Sequence, residues 1–385
     1  KQASKQASKQ ASKQASKQAS KQASKRIEWL DALKGFAIIA VVLGHTLLGY
    51  TENDAFGEYN DFFCALKDWI YIWHMPLFLC LSGYSFCLAY YRKDALDANS
   101  RLKTSKVKRQ IINLVLLYVM FSIVFYALKI PLAAFTDNKL TISDAAVNLL
   151  IPNTLMWYLW VLAIYYMILL YCKPVMPVIA SRPKITLGIL LIIAVVQRLS
   201  GTFINWRLCF GNFFHCAFYF CFGMVLCLNK DCYEAKKQKS GWMWIGMLIV
   251  IVHFVCYMAL SAEMADREAI DFVSLISTVL NEFVAVLIII LAFAAANRHQ
   301  HVGNLLPALG RASLVIYLLH TYIVTAMKVV AIRMGLCSSM VMDIVVMAMS
   351  VIIPIGICYF VDWIRRKNRL IGAIFAPGKH IKIFD

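Results

Sequence analysis

Two ionisable side chains lie in the first long apolar segment of the chain, Lys34 near its start and His45 near its end. A helix rises about 1.5 Å per residue, so these side chains would be roughly 16 Å apart along one helix. Ionisable groups are costly in hydrocarbon and face a protein interior or a wet cavity. Because an imidazole exchanges protons near neutral pH, His45 is a candidate general base or nucleophile. The alternative for His45 is a packing residue with a satisfied hydrogen bond.

A second histidine, His74, opens the next apolar segment, in the run His-Met-Pro-Leu-Phe over residues 74–78. This segment enters from the side on which the first one ends, so we expect His45 and His74 at similar depth in one polar pocket. The sequence therefore predicts His45 and His74 as the catalytic residues. The alternative for His74 is a place in the interfacial aromatic belt, beside Trp69 and Trp73.

The composition is typical of a multi-pass membrane protein, with 61% hydrophobic and 16% charged residues in a chain of 385. Apolar runs of about 18 to 25 residues recur along the chain, and this is the length that crosses a bilayer as a helix. We therefore predict an all-α helical bundle with about ten transmembrane helices. The predicted spans are residues 33–50, 69–91, 110–130, 154–172, 184–200, 207–228, 242–260, 272–296, 313–332 and 340–362.

Basic residues concentrate in the loops on one side of the predicted bundle, whereas the opposite loops contain acidic clusters. Because loops rich in Lys and Arg are retained in the cytosol, both termini are predicted to be cytosolic. The expected location is the bacterial inner membrane. A basic cytosolic face suits anionic membrane lipids, so the net charge of +18 does not require a nucleic-acid partner.

Residues 1–24 are six copies of Lys-Gln-Ala-Ser, a polar repeat that cannot bury a core. We predict a disordered tail over residues 1–25, a transmembrane domain over 26–377 and a short cytosolic tail over 378–385. The codons AAG, CAA, GCA and AGC would encode the repeat as copies of the tetranucleotide AAGC. Slippage of such a tract shifts the reading frame, which predicts phase variation of expression. An ordinary linker is the alternative, and the coding DNA distinguishes the two.

Five motifs occur in combination along residues 26–377. They are Lys34 and His45 with ten residues between them, His74 to Phe78 with Ser82-Gly83-Tyr84, Trp157-Tyr158-Leu159, Phe220 to Gly223, and Tyr317 to His320. Together these motifs resemble the bacterial membrane-bound acyltransferase-3 family, in particular its polysaccharide O-acetyltransferases of the fucose 4-O-acetylase type.

The resemblance implies transfer of an acyl group, usually acetyl from cytosolic acetyl-CoA, to a carbohydrate hydroxyl. The carbohydrate acceptor would be capsule, lipopolysaccharide or another exopolysaccharide, free or lipid-linked. The basic residues Lys106, Lys108 and Arg109 would hold the phosphates of CoA. The pantetheine arm would then pass Lys34 toward His45, which acts as general base or carries the acyl group itself. Retention of the basic loop in the cytosol is an alternative explanation of its charge, and it is compatible with CoA binding.

Three further residues are predicted to support this site. Glu282 would neutralise a histidine or Lys34, whereas Trp157 and His320 belong to the shared motifs. No His, Cys or Asp cluster has the spacing of metal ligands, so we expect metal-free catalysis.

Two other classes of function remain open on the sequence. A transporter or flippase of a glycan or its precursor also suits ten spans with buried charge, although inverted repeats are not evident. A purely structural membrane subunit is the other alternative, and the repeated histidine motifs argue against it.

Overall fold

The computed structural model describes residues 28–91, 102–132, 147, 156–172, 175–200, 213–229, 241–265, 272–298 and 303–379. The helices are α1 Glu28–Thr51, α2 Asn60–Tyr90, α3 Thr104–Leu132, α4 Trp157–Tyr171, α5 Val175–Ser181, α6 Pro183–Ser200, α7 Phe213–Leu228, α8 Gly241–Ala265, α9 Phe272–Arg298, α10 Leu305–Arg333, α11 Met340–Lys367 and α12 Arg369–Ile374. Short 3-10 turns cover Gly57–Tyr59 and Pro377–Lys379. Over these ranges the fold contains helices and no strand, which confirms the all-α prediction.

Within the described ranges, seven helices are long and apolar enough to cross a membrane: α1, α2 with the preceding turn, α3, α8, α9, α10 and α11. The pair α4 and α5, bent by 90°, would make an eighth span. Two further predicted spans coincide with α6, of 18 residues, and α7, of 16 residues. The multi-pass membrane fold is therefore confirmed, whereas the ten-span count and the cytosolic termini stay predictions.

Apolar runs become helices here because a bilayer offers no water to satisfy backbone N–H and C=O groups, so each segment must pair them internally. This constraint also keeps α2 helical through Pro76. The predicted tail over residues 1–25 lies outside the described residues, as do the last residues of the predicted C-terminal tail. The predicted domain boundaries remain predictions.

Helices α1 and α10 meet backbone to backbone at two glycines. A side chain at Gly35 would collide with the carbonyl of Leu306, and one at Gly310 with the carbonyl of Asp31. Glycine permits this approach, and small residues play the same role at helix interfaces in membranes generally. We call this contact the glycine seam. A larger residue at either glycine would force α1 and α10 apart.

A second pair of glycines joins α2 to α7. Gly83 faces the carbonyl of Phe220, and Gly223 faces the carbonyl of Cys80. These glycines belong to the motifs Ser82-Gly83-Tyr84 and Phe220 to Gly223. Their position gives both motifs a packing role, because any larger residue would force α2 and α7 apart.

Candidate active site

The imidazoles of His45 on α1 and His320 on α10 lie side by side, with ring centroids 5.3 Å apart. Each histidine follows a glycine of the seam by ten residues, His45 after Gly35 and His320 after Gly310. The two helices therefore run parallel and carry their histidines to the same level. His320 is buried, whereas His45 is partly exposed.

His74 joins this pair through a tyrosine of its own helix. The Tyr71 hydroxyl lies 3.4 Å from Nδ1 of His45, and the rings of Tyr71 and His74 are 4.6 Å apart. Tyr71 and His74 share one face of α2 because residues three apart are neighbours on a helix. The structure thus brings the predicted residues His45 and His74 into one group, with Tyr71 between them. We call His45, Tyr71, His74 and His320 the histidine cluster.

Hydrogen bonds fix the tautomer of the two buried imidazoles. Nδ1 of His74 lies 2.8 Å from the carbonyl oxygen of Ile70, and Nδ1 of His320 lies 2.8 Å from that of Ile316 and 3.0 Å from that of Tyr317. A carbonyl oxygen can only accept, so Nδ1 carries the proton in both rings. In the neutral imidazole Nε2 is then an acceptor.

Both Nε2 atoms are buried and have no hydrogen-bond partner among the described residues. A buried acceptor left unpaired costs about 1–3 kcal/mol. An O–H or N–H group of a bound molecule would remove this cost at His74 and His320. The histidine cluster is therefore suited to bind a hydroxyl group or an amide beside His45.

Aromatic rings form a wall next to His320. Tyr158 on α4 is hydrogen-bonded to Ser82, and its ring lies 5.2 Å from Phe78 and 5.4 Å from Tyr317. The ring of Tyr317 lies 6.3 Å from that of His320. These contacts bring three of the sequence motifs together.

The predicted supporting residue Trp157 stands one position away from this wall. Its ring contacts that of Tyr158 at 6.5 Å. Tyr158 is thus the residue of the Trp-Tyr-Leu motif whose ring reaches Tyr317. Sequence reasoning assigned no role to Tyr71 or Tyr158. The signal for Tyr71 was its position three residues before His74, whereas the contact of Tyr158 depends on helix packing.

The predicted cofactor-binding residues lie at the opposite end of the bundle from the histidine cluster. Lys34 is partly buried near the start of α1. Trp29 at that end packs against Tyr84 near the end of α2, with ring centroids 5.6 Å apart. Lys103, just before α3, donates to the Ala89 carbonyl at 2.9 Å, which places the start of α3 at the same end. We call this the Lys34 end.

The first turns of α3 present three basic side chains at the Lys34 end. Lys106 and Arg109 are exposed, and Lys108 is partly buried. Lys108 also borders a cleft of about 150 Å³ between α3 and α4. The cleft is lined by Lys108, Ile111, Ile112, Met167 and Tyr171. A basic rim beside an apolar cleft is suited to a ligand with both phosphate and apolar groups.

Glu282 lies in a different group from the histidine cluster. Its carboxylate accepts from Nε2 of His215 at 2.9 Å, from the Tyr219 hydroxyl at 2.6 Å and from Nη1 of Arg198 at 3.0 Å. The sequence predicts that Glu282 neutralises a histidine or Lys34. Glu282 does pair with a histidine, but this histidine is His215 and lies outside the histidine cluster. Its cation is Arg198 and not Lys34.

Among the residues described, no group of three His, Cys, Asp or Glu side chains is placed to hold a metal ion. The expectation of metal-free catalysis stays a prediction. The imidazoles of the histidine cluster are suited to proton transfer and to nucleophilic attack.

Comparison with known proteins gives one family and one relative. Residues 27–363 match the acyltransferase domain of the acyltransferase-3 family. Nodulation protein NolL of Mesorhizobium japonicum is 28% identical over 145 residues, which are 36% of this chain and 34% of that protein. No solved structure matches the chain.

The family match extends over most of the chain and includes all members of the histidine cluster, whereas the similarity to NolL covers about a third of either protein. The apolar helices agree with a multi-pass membrane protein. The chain is therefore a multi-pass membrane protein that belongs to the acyltransferase-3 family.

Proposed function

We propose that the protein transfers an acetyl group from cytosolic acetyl-CoA to a hydroxyl of a cell-surface glycan, such as capsule, lipopolysaccharide or another exopolysaccharide. The observation that carries this proposal is the pair of unpaired imidazole acceptors, on His74 and His320, beside His45. Two acceptors of this kind fit a molecule that brings O–H or N–H groups. A sugar hydroxyl and the amides of pantetheine both meet this requirement.

The distribution of basic residues supports CoA as the donor. Lys106, Lys108 and Arg109 lie at the Lys34 end, where they would bind the phosphates. Lys34 and His45 are roughly 16 Å apart along α1, because a helix rises about 1.5 Å per residue. A pantetheine arm that extends along this helix would carry the thioester from the basic end to the histidine cluster.

Tyr71 would set the protonation of His45. If the Tyr71 hydroxyl accepts from Nδ1 of His45, the lone pair of His45 lies on Nε2, as in His74 and His320. In direct transfer, Nε2 takes the proton of the acceptor hydroxyl while its oxygen attacks the thioester carbonyl. The C–S bond then breaks and the proton passes to the CoA thiolate. In the alternative, Nε2 attacks first and His45 carries the acetyl group before the acceptor receives it.

The test is the acetyl content of surface polysaccharide, measured by NMR in cells that express the chain or its His45→Ala variant at matched membrane abundance. His253→Ala is the control, because His253 bonds to Trp69 and Asn281 outside the histidine cluster. We expect acetyl signals with the parent chain and the control and none with His45→Ala. Equal acetylation by His45→Ala would remove His45 from the mechanism.

The inner membrane as location and phase variation through the repeat are part of the same proposal. A surface glycan is a common target of variable expression, and a four-base repeat supplies the switch. Uniform AAGC units in the coding DNA would support phase variation. Mixed synonymous codons would indicate that the repeat is an ordinary linker. The family match favours acyl transfer over the alternative of a glycan transporter or flippase.

A further inference from the structure

A second polar group lies among α6, α7 and α9, away from the histidine cluster. It consists of Arg198, His215, Tyr219 and Glu282, and we call it the Arg198 cluster. Tyr219 and Glu282 are 0% and 3% exposed, so the carboxylate is shielded from its surroundings. Placing ionisable groups inside a membrane protein costs free energy, so such groups often mark functional sites.

The carboxylate of Glu282 accepts hydrogen bonds from three side chains. His215, Tyr219 and Arg198 all donate to it, as described above. Gln197 strengthens the arrangement, because its Oε1 accepts the backbone N–H groups of Phe214 at 3.0 Å and His215 at 3.2 Å. The end of α6 is thereby tied to the start of α7. The cluster restricts the guanidinium of Arg198 through its contact with Glu282.

Arg198 uses only part of its donor capacity in these contacts. Nη1 donates to Glu282 and lies 3.4 Å from Nε2 of His215. In the described part of the chain, Nε and Nη2 make no hydrogen bond, and the side chain is 36% exposed. The edge formed by Nε and Nη2 is one of the two that match a pair of carboxylate or phosphate oxygens. An unused edge of this kind is suited to bind an oxyanion.

The Arg198 cluster lies on the same half of the bundle as His45. Trp69 donates to Nδ1 of His253 at 3.3 Å, and Nε2 of His253 lies 3.1 Å from Oδ1 of Asn281, the residue before Glu282. Trp69 directly precedes Ile70, which packs beside Gly44 of α1. This chain of contacts places Glu282 near the level of Gly44 and His45.

We propose that Arg198 binds an oxyanion, the phosphate or carboxylate of a bound molecule, through its Nε and Nη2 groups, and that Glu282 positions the guanidinium for this contact. The oxyanion belongs either to the headgroup of an anionic membrane lipid or to a water-soluble molecule. The site is independent of the proposed acetyl transfer, because it needs neither CoA nor the histidine cluster.

The first arm of the test uses the purified full chain in phosphatidylcholine nanodiscs. The thermal unfolding midpoint is followed as sodium pyrophosphate is added at constant ionic strength, since a ligand of the folded state raises it. We expect a rise in the parent chain and an apparent Kd about tenfold weaker or more in Arg198→Lys, which keeps the charge but loses the planar edge. Arg333→Lys, at the exposed end of α10, is the matched control and should respond as the parent does.

The second arm identifies the source of the oxyanion. The same proteins are placed in nanodiscs that contain phosphatidylglycerol, and retained lipid is counted by native mass spectrometry. Retention that is lost in Arg198→Lys assigns the site to a lipid headgroup, whereas a response to pyrophosphate alone assigns it to a soluble molecule. If neither ligand shows any dependence on Arg198, the proposal is wrong.

A further variant protects the test against misfolding. Arg198→Gln combined with Glu282→Gln removes both charges and leaves no unpaired carboxylate behind. This double variant should fold and should bind neither probe. Binding of either probe at the parent affinity by the double variant would also overturn the proposal. Neither arm measures acetylation, so failure here is distinct from failure of the proposed function.

Discussion

His45 and His320 lie 5.3 Å apart, ring centroid to ring centroid, although 274 residues separate them along the chain. Their helices touch at Gly35 and Gly310, and each histidine follows its glycine by ten residues. The parallel register of α1 and α10 therefore transmits the contact at the glycine seam to the imidazoles. Changes at the seam should reach the site even though the glycines contact no part of it.

The first prediction concerns the glycine seam. Gly310→Ala places a methyl group against the carbonyl of Asp31, so α1 and α10 must separate. We expect a loss of stability of about 1–3 kcal/mol, as for overpacked cores, together with reduced acetylation. Thermal unfolding in nanodiscs and NMR of the polysaccharide measure the two effects. Gly356→Ala on α11 is the control, since a side chain there meets open space. Unchanged stability and activity in Gly310→Ala would contradict a role for the seam.

The second prediction concerns the hydroxyl of Tyr71. Tyr71→Phe keeps the ring against His74 but removes the group that lies 3.4 Å from His45. We expect kcat to fall about tenfold, since a net hydrogen bond is worth about 1 kcal/mol and the tautomer of His45 is no longer fixed. The KM for acetyl-CoA should stay the same. Tyr359→Phe, on the exposed side of α11, should leave both constants unchanged. A normal kcat in Tyr71→Phe would show that His45 needs no partner on α2.

The third prediction concerns donor binding at the Lys34 end. Replacing Lys106, Lys108 and Arg109 by Ala should raise the KM for acetyl-CoA by tenfold or more, with little change in kcat, because these groups bind phosphate and lie far from the reacting atoms. The increase should shrink as salt is added, since exposed charges are screened beyond about 10 Å at 0.1 M ionic strength. Lys67→Ala, which removes a basic residue paired with Asp68 on α2, is the control. A KM equal to that of the parent would show that the basic loop does not bind acetyl-CoA. Its charge would then serve only to keep the loop in the cytosol.

The fourth prediction contrasts two acidic residues. Glu282→Gln removes the buried carboxylate that accepts from His215, Tyr219 and Arg198, so we expect a loss of about 1–3 kcal/mol. The side chain of Asp68 is 53% exposed and forms an ion pair with Lys67. Asp68→Asn breaks this pair, which should cost less than about 1 kcal/mol. Thermal unfolding of both variants in the same nanodiscs gives the comparison. Equal losses would mean that the Arg198 cluster contributes no more than a surface pair.

Helix positions were the most predictable part of the fold, because apolar length alone decides what crosses a bilayer. The start of α2 was less predictable. The structure begins this helix at Asn60, whereas the predicted span begins at residue 69, because the more polar residues between them continue the helix beyond the apolar run. Polar helical turns of this kind carry no hydropathy signal.

The site was predictable only where its residues are close in sequence or share a depth. His45 and His74 follow from the order of two consecutive spans. The partner of Glu282 did not follow, since it depends on which helices are neighbours of α9, and Arg198 and His215 come from α6 and α7. The contact of His320 with His45 did not follow either, because the equal spacing of glycine and histidine does not reveal that α1 and α10 are neighbours.

The glycine seam also bears on how the protein would respond to bilayers of different thickness. Helix tilt is one way in which hydrophobic mismatch is relieved, and it can change the spacing of side chains on separate helices. Because α1 and α10 are parallel and in backbone contact, we expect them to tilt as one rigid unit. The spacing between His45 and His320 would then be conserved. Acyl-chain length of the surrounding lipid should therefore affect this pair less than it affects groups that α1 shares with more distant helices.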